Sequence, residues 1–237
     1  MSEHRVNEFG QPIGVPVEWT AREPLAPVTL VGRTCRVEPL AAHHLDQLYE
    51  ALVVRSAPSL WTYLPGGPFQ DKAGLLGQLR ALADAPGMLP HVICLPSGRP
   101  VGTASYQRVD PANGSAEVGW VAYADELQRT TAATEAMYLM MRHVLDDLGY
   151  RRYEWKCDDL NAPSRRAAER LGFRYEGTFR NALVYKGRNR DTAWFSITDG
   201  EWPSARDRLE AWLAPGNFDP DGNQVVPLGH APGRAHD

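Results

Sequence analysis

The chain has 237 residues, 43% hydrophobic and 23% charged, with a formal net charge of −4. Such a composition fits one large globular domain, or one medium domain with ordered arms, and excludes a disordered or fibrous chain. Mixed charge so near balance argues against a nucleic-acid or membrane-surface binder, while permitting a local basic pocket for a phosphorylated ligand.

Residues 1–27, rich in proline and polar groups, read as an N-terminal arm. The alternating, β-branched run VTLVGRTCRVEPL (28–40) is expected to be the first strand. AAHHLDQLYEAL follows with Leu45, Leu48, Tyr49 and Leu52 at helical spacing, then a Pro/Gly-rich loop (56–69) carrying Trp61 and Tyr63, then a second helix over 70–84. HVICLP, PVGTASYQRV and SAEVGWVAY are separated by turn residues and predict an antiparallel meander. TTAATEAMYLMMRHVLDDLG places Met137, Met140, Met141, Val144, Leu145 and Leu148 on one helical face, closed by Gly149. YRRYEWKC reads as a strand, NAPSRRAAERLG as a helix and FRYEGTFRNALVYKGRNRDTAWFSIT as a β-hairpin. Residues 201–237 supply a last helix and a Gly/Pro-rich tail from Gly216 with little core to offer. The order predicts an α/β domain over 28–200, with a mixed, mostly antiparallel central sheet flanked by helices on both faces.

Three widely spaced cysteines, Cys35, Cys94 and Cys157, give neither a disulfide framework nor zinc-ligand spacing. No metal is expected, and a reducing cytoplasm is the natural setting. The N-terminal stretch lacks the apolar run of a signal peptide, and no segment approaches membrane-spanning length.

Two helix starts directly follow strands, near Thr131 and near Ala162. Free N–H groups and the positive dipole end suit anionic ligands there. Gln128-Arg129-Thr130-Thr131-Ala132-Ala133 combines small residues with a cation and hydroxyls, as a close-approaching phosphate requires. Asn161 caps the second helix, with Pro163 early in it, and a cap leaves its amide N–H₂ free for a ligand. Arg165 and Arg166 open that helix, where cations are misplaced for the dipole, which hints at a nearby anion.

The first run resembles the pyrophosphate-binding loop of the GNAT acetyltransferase superfamily, Gln/Arg-x-x-Gly-x-Gly/Ala, with Thr131 in place of the usual glycine. NAPSRRAAERLGFRYEG is similar to the Asn-x-x-Ser…Gly-Phe…Glu-Gly signature of its RimJ/RimL-like branch, as are AEVGW (116–120) and WTYLPGGPF (61–69). The resemblance implies direct transfer of an acetyl group from acetyl-CoA to a primary amine in a ternary complex. The acceptor would be a small-molecule amine or a protein N-terminus, and the enzyme a monomer or homodimer with no metal.

Cofactor contacts would come from Gln128 to Ala133, Asn161, Ser164, Arg165 and the backbone at Val121, Ala122 and Tyr123, where an N–H would meet the oxyanion. Glu117 would be the general base, with Glu154 and Asp158, on the polar side of their strand, as competitors that also face the substrate. Ser164 would steady the leaving thiolate, and Trp61 and Tyr63 would wall the acceptor pocket. Cys157, on the apolar face of its strand, is not expected to be a nucleophile. A catalytically silent acyl-CoA-binding sensor on the same fold is the alternative reading.

Overall fold

The computed structural model describes residues 4–229. A two-stranded hairpin, β1 (His4–Val6) and β2 (Pro12–Gly14), stands apart from the main sheet. Its turn is built by Asn7, whose side-chain oxygen accepts from the Phe9 and Gln11 N–H groups. Three-residue strands carry too little alternation for a periodicity signal.

The expected first strand is two: β3 (Leu30–Val31) and β4 (Arg36–Pro39) form a tight hairpin rather than one run over 28–40. The break has a cause far off in sequence. The buried carboxylate of Glu135 accepts from the N–H groups of Arg33 and Thr34, at 2.9 and 2.6 Å, and from the Thr34 hydroxyl. These bonds hold residues 32–35 as a turn.

The remaining strands are β5 (Leu89–Cys94), β6 (Pro100–Asp110), β7 (Ser115–Tyr123), β8 (Arg152–Asp158), β9 (Arg174–Tyr185) and β10 (Arg188–Thr198). They complete an eight-stranded sheet of order β3-β4-β5-β6-β7-β8-β10-β9. Every neighbouring pair is antiparallel except β7 and β8.

Helices cover both faces. The segment 42–54 is helical throughout, with α1 (Leu45–Tyr49) at its centre, and packs with α2 (Lys72–Asp84) on a core that includes Leu48, Leu52, Trp61, Leu75 and Val92. α3 (Thr131–Arg142), α4 (Ala162–Leu171) and α5 (Trp202–Leu213) share the larger core on the opposite face. α3 is buried at every residue from Ala132 to Met141, not along one stripe, because it lies beneath α4 and α5 as well as on the sheet. α4 ends at Gly172, whose φ of +109° provides the left-handed cap.

The tail contributes more core than its composition suggests. Leu228 is buried, and Phe218 packs edge-on to Trp212 with ring centroids 5.3 Å apart. The arm is fastened by Trp19 Nε1, which donates to the Ala112 carbonyl at 2.7 Å, and by Leu25, which enters the large core. Among the described residues no helix is long and apolar enough to cross a membrane.

Glu135→Ala leaves two backbone donors and a hydroxyl without their acceptor. The expected loss is about 2–3 kcal/mol in urea unfolding; a loss below about 0.5 kcal/mol would show that water satisfies the turn equally well.

Candidate active site

The parallel pairing of β7 with β8 runs only from Ser115↔Arg152 to Val118↔Trp155. Both strands continue beyond, so the sheet opens between them. The divergence coincides with an irregularity in β7. Gly119 faces Ser105 and Ala122 faces Thr103, so Trp120 and Val121 together oppose Ala104. Trp120 has φ +52°, a conformation rare for a bulky side chain. The bulge also reverses the alternation: Ala116 and Val118 face the large core before it, whereas Val121 and Tyr123 do so after it.

A second irregularity, in β6, places Arg108 at φ +49° beside the Gln107–Glu117 pair. Non-glycine left-handed residues are costly and persist where the surroundings over-determine them, frequently at functional sites.

The opening is a cleft of about 400 Å³. Trp155, Cys157, Asn161 and Ser164 line it from the α3–α4 side, and Glu117, Lys156, Asp158, Tyr63 and Trp194 from the opposite side. Its rim is strapped. Lys186 Nζ, from the β9–β10 turn, and Arg188 Nη2, at the start of β10, donate to the carbonyls of Trp61 and Thr62, and the Tyr63 hydroxyl donates to the Leu160 carbonyl.

Glu117 is 4% exposed. Its carboxylate accepts from Gln107 Nε2 at 2.5 Å and from Lys156 Nζ at 2.6 Å. Lys156 also pairs with Glu154 at 3.0 Å and lies 3.5 Å above the Trp194 ring. Gln107 crosses directly over Gly119, where a Cβ would stand 2.3 Å from its Nε2, so only glycine leaves room for this bond.

Asp158 accepts from the Leu160 N–H and from the Tyr185 hydroxyl at 2.7 Å. Burial, together with that bond to Asp158, pushes the Tyr185 phenol up to about 12. Ser164 Oγ accepts from Trp155 Nε1 at 2.9 Å, and its hydroxyl lies beside the Cys157 thiol.

The two helix mouths are at one edge of the sheet, because β7 and β8 run in parallel and each leads into its helix there. At α3, Thr130 rather than Thr131 is the cap: its Oγ1 accepts from the Ala133 N–H at 3.2 Å. The left-handed residue of the loop is Arg129, with φ +62°, so Thr131 needs no glycine-like angle. The N–H groups of Arg129, Thr131 and Ala132 have no hydrogen-bond partner among the described residues. Gln128, exposed at the loop surface, donates to the Tyr123 carbonyl and Asp125, closing the loop. At α4, Asn161 Oδ1 accepts from the Ser164 N–H at 3.2 Å, which leaves the amide N–H₂ free. These unpaired donors beside small residues suit a phosphate and an amide-bearing arm.

Of the residues singled out from sequence, Glu117, Val121, Asp158, Asn161, Ser164 and Tyr63 meet at the cleft. Gln128 to Ala133 form the mouth beside it. Trp61 does not reach the cleft; it is 6% exposed and plugs the smaller core against Phe69. Ala122 is likewise buried in that core, and Tyr123 directs its hydroxyl into the interior. Glu154 stands one step away, held by Arg152 and Lys156. Arg165 is paired with Asp159, which accounts for its place at the helix start.

Sequence reasoning missed Gln107, Arg108, Arg190, Thr192 and Trp194 as cleft residues, because only strand pairing brings them there. A separate group, Glu38, His43 and His44, has ligand atoms within 4.8 Å of one another. There His44 already accepts from the Ala41 N–H and donates to Glu38, so it clasps β4 to the following helix.

The family profile of the acetyltransferase (GNAT) domain matches residues 35–174. The chain belongs to the GNAT acetyltransferase family. A GCN5-related N-acetyltransferase from Brucella melitensis is 45% identical, with a TM-score of 0.86 over 89% of this chain and 96% of that one. A GNAT-family structure from Chromobacterium violaceum is 36% identical, with a TM-score of 0.74 over 81% of this chain and 96% of that one. YdaF of Bacillus subtilis (strain 168), which carries the name of a ribosomal N-acetyltransferase, is 29% identical over 43% of this chain and 55% of its own length. That name accords with the RimJ/RimL-like signature of this GNAT chain.

All three thiols are buried and raised. Burial pushes up Cys157, opposed in part by the Ser164 hydroxyl. Burial, with Glu38, takes Cys94 to about 12, and burial, with Glu135, takes Cys35 higher still. A thiol-disulfide reagent at pH 8 is therefore expected to titrate less than one thiol per native chain within minutes, and three after denaturation. Rapid reaction of a native cysteine would reopen covalent catalysis.

Proposed function

We propose that this GNAT protein moves an acetyl group from acetyl-CoA directly to a primary amine, in a ternary complex. The observation that carries the reading is the opening between β7 and β8, with both walls of the sheet around it and two helix N-termini at its edge. Acetyl-CoA supplies an activated acyl carbon as a thioester. The unpaired N–H groups at Arg129, Thr131 and Ala132 bind its pyrophosphate. The Asn161 amide bonds the pantetheine arm and directs the thioester into the opening.

Glu117 takes the proton of the acceptor ammonium, directly or through one water, since its carboxylate retains lone pairs beyond those used by Gln107 and Lys156. The neutral amine nitrogen then bonds to the acetyl carbon. The backbone N–H at Val121, on the bulge, stabilises the negative charge that develops on the acetyl oxygen. Ser164, whose oxygen is engaged by Trp155, keeps its proton and hydrogen-bonds the departing thiolate as the carbon–sulfur bond breaks, while the nitrogen's remaining proton passes to the thiolate or to solvent. Tyr63 closes the acceptor side. A binding protein without turnover would need no buried carboxylate at the opening, and Glu117 is there.

Saturating acetyl-CoA, at about 100 times its dissociation constant, is expected to stabilise the fold by about 2.7 kcal/mol in a thermal melt. Thiol release with a panel of amines then tests transfer; a melting shift without release under any amine would leave the sensor. Asn161→Ala is expected to raise the KM for acetyl-CoA about 5- to 10-fold with little change in kcat, as the loss of one hydrogen bond predicts. Glu117→Gln is expected to lower kcat by about 10²–10⁴ and to abolish the rise of rate with pH. If that rise survives, Glu117 is not the base.

A further inference from the structure

We propose that the acceptor is an amine whose own skeleton carries a carboxylate about 5–10 Å from the nitrogen, read by a row of donors on β10, a proposal that rests on the transferase reading above. The row is Arg190, Thr192 and Trp194. Spaced by two, they share one face of the strand and line the cleft. Each buries a polar atom with no hydrogen-bond partner: Arg190 Nε, Thr192 Oγ1 and Trp194 Nε1. The first and last can only donate, and the hydroxyl can donate as well. Buried polar groups are nearly always satisfied, so three orphans on one strand face point to a partner that arrives with the ligand.

The charges agree. Arg108, Lys156 and Arg190 line the cleft with Glu117 and Asp158. Both carboxylates are engaged, Glu117 by Lys156, Gln107 and Arg108, and Asp158 by Tyr185 and the Leu160 N–H. The Arg190 side chain makes no ion pair or hydrogen bond within the described residues; its guanidinium only approaches the Tyr185 ring, at 5.8 Å. Arg190 is therefore the cleft cation whose side chain is left without an acidic partner among the described residues.

The spacing follows from the sheet. The amine must sit in the opening between β7 and β8, and β10 is the next strand beyond β8. Strands lie about 4.8 Å apart, so nitrogen and anion are separated by roughly 5–10 Å. An α-carboxylate is too close to its amine, whereas a chain of several carbons spans the interval.

The test is a ladder of ω-amino acids from glycine to 8-aminooctanoate, each against its terminal amide, in acetyl transfer. A second arm uses a hexapeptide with aspartate or asparagine at its second position. Kcat/KM is expected to peak within the ladder at or beyond 4-aminobutyrate and to fall about 10-fold or more when the carboxylate becomes an amide. Discrimination confined to the peptide arm would keep the chemistry and identify a protein N-terminus as its source. Equal use of acid and amide in both arms, or a preference for the amide, overturns the proposal.

Calorimetric titration of the CoA-saturated protein with 6-aminohexanoate and 6-aminohexanamide provides a readout independent of turnover. Arg190→Gln is expected to reduce the acid-over-amide ratio from about 10 or more to below about 3, with Thr192→Val acting in the same direction. An equal loss for both ligands, or a raised KM for acetyl-CoA in Arg190→Gln, overturns it. Failure of the transferase reading itself would look different: no melting shift with acetyl-CoA and no thiol release with any amine.

Discussion

Strand β7 cannot stay paired with β8. Beyond Val118↔Trp155 an extra residue enters β7, and the hydrogen-bonded edge that β8 would use turns away. A sheet of this size is otherwise a closed surface, with one face for each helix layer. By failing to pair at one point it acquires a passage with Asn161 and Ser164 on one side and Glu117 and Asp158 on the other. On the proposed function, a nucleotide thioester and an amine approach from different faces and meet at their reacting atoms.

Much of the surrounding structure holds that opening in shape. The bulged residues Trp120 and Arg108 sit in left-handed conformations that each favour relaxation back to regular strand. Opposing this are the Gln107–Glu117–Lys156–Glu154 chain across three strands and the Trp194 ring beneath Lys156. Farther away, Glu135 connects α3 to the β3–β4 turn, so the helix that opens beside the cleft is anchored at the distal edge of the sheet as well. The loop holding Tyr63 and the β9–β10 turn fasten each other across the rim. Rigidity of this kind suits the direct transfer proposed above, in which two reactants are held together without a covalent intermediate.

The electrostatics of the cleft are uneven in a useful way. Its carboxylates are compensated inside the protein, whereas donors on β10 are not. A site whose own charges are already paired exerts its preference through what is left unpaired. The buried Cys157 thiol that lines it, raised by burial, adds volume and little reactivity.

The helices α3 and α4 and their mouths were legible in the chain because their signals are local. Thr130 and Asn161 cap within three residues, and Gly172 closes a periodic run. Glu117 and Ser164 could be singled out through the family resemblance of the short motifs that carry them, and Asn161 by its cap position as well. The antiparallel meander was legible from alternation and turn residues. By contrast, the split of 28–40 into a hairpin depended on Glu135, about a hundred residues later. Trp61 and Tyr63 are neighbours in one aromatic loop, yet one is core and the other cleft, a choice made by packing on Phe69 and by the bond to Leu160. The cleft-facing role of Arg190, Thr192 and Trp194 was also hidden, since their alternation marks only a half-buried strand. The amino-acid order by itself thus determined the elements, their caps and the residues of the helix mouths, all set by contacts a few positions apart. Only the tertiary structure decided where β7 leaves β8 and which β10 donors face the gap, because strand pairing joins residues that no local spacing relates.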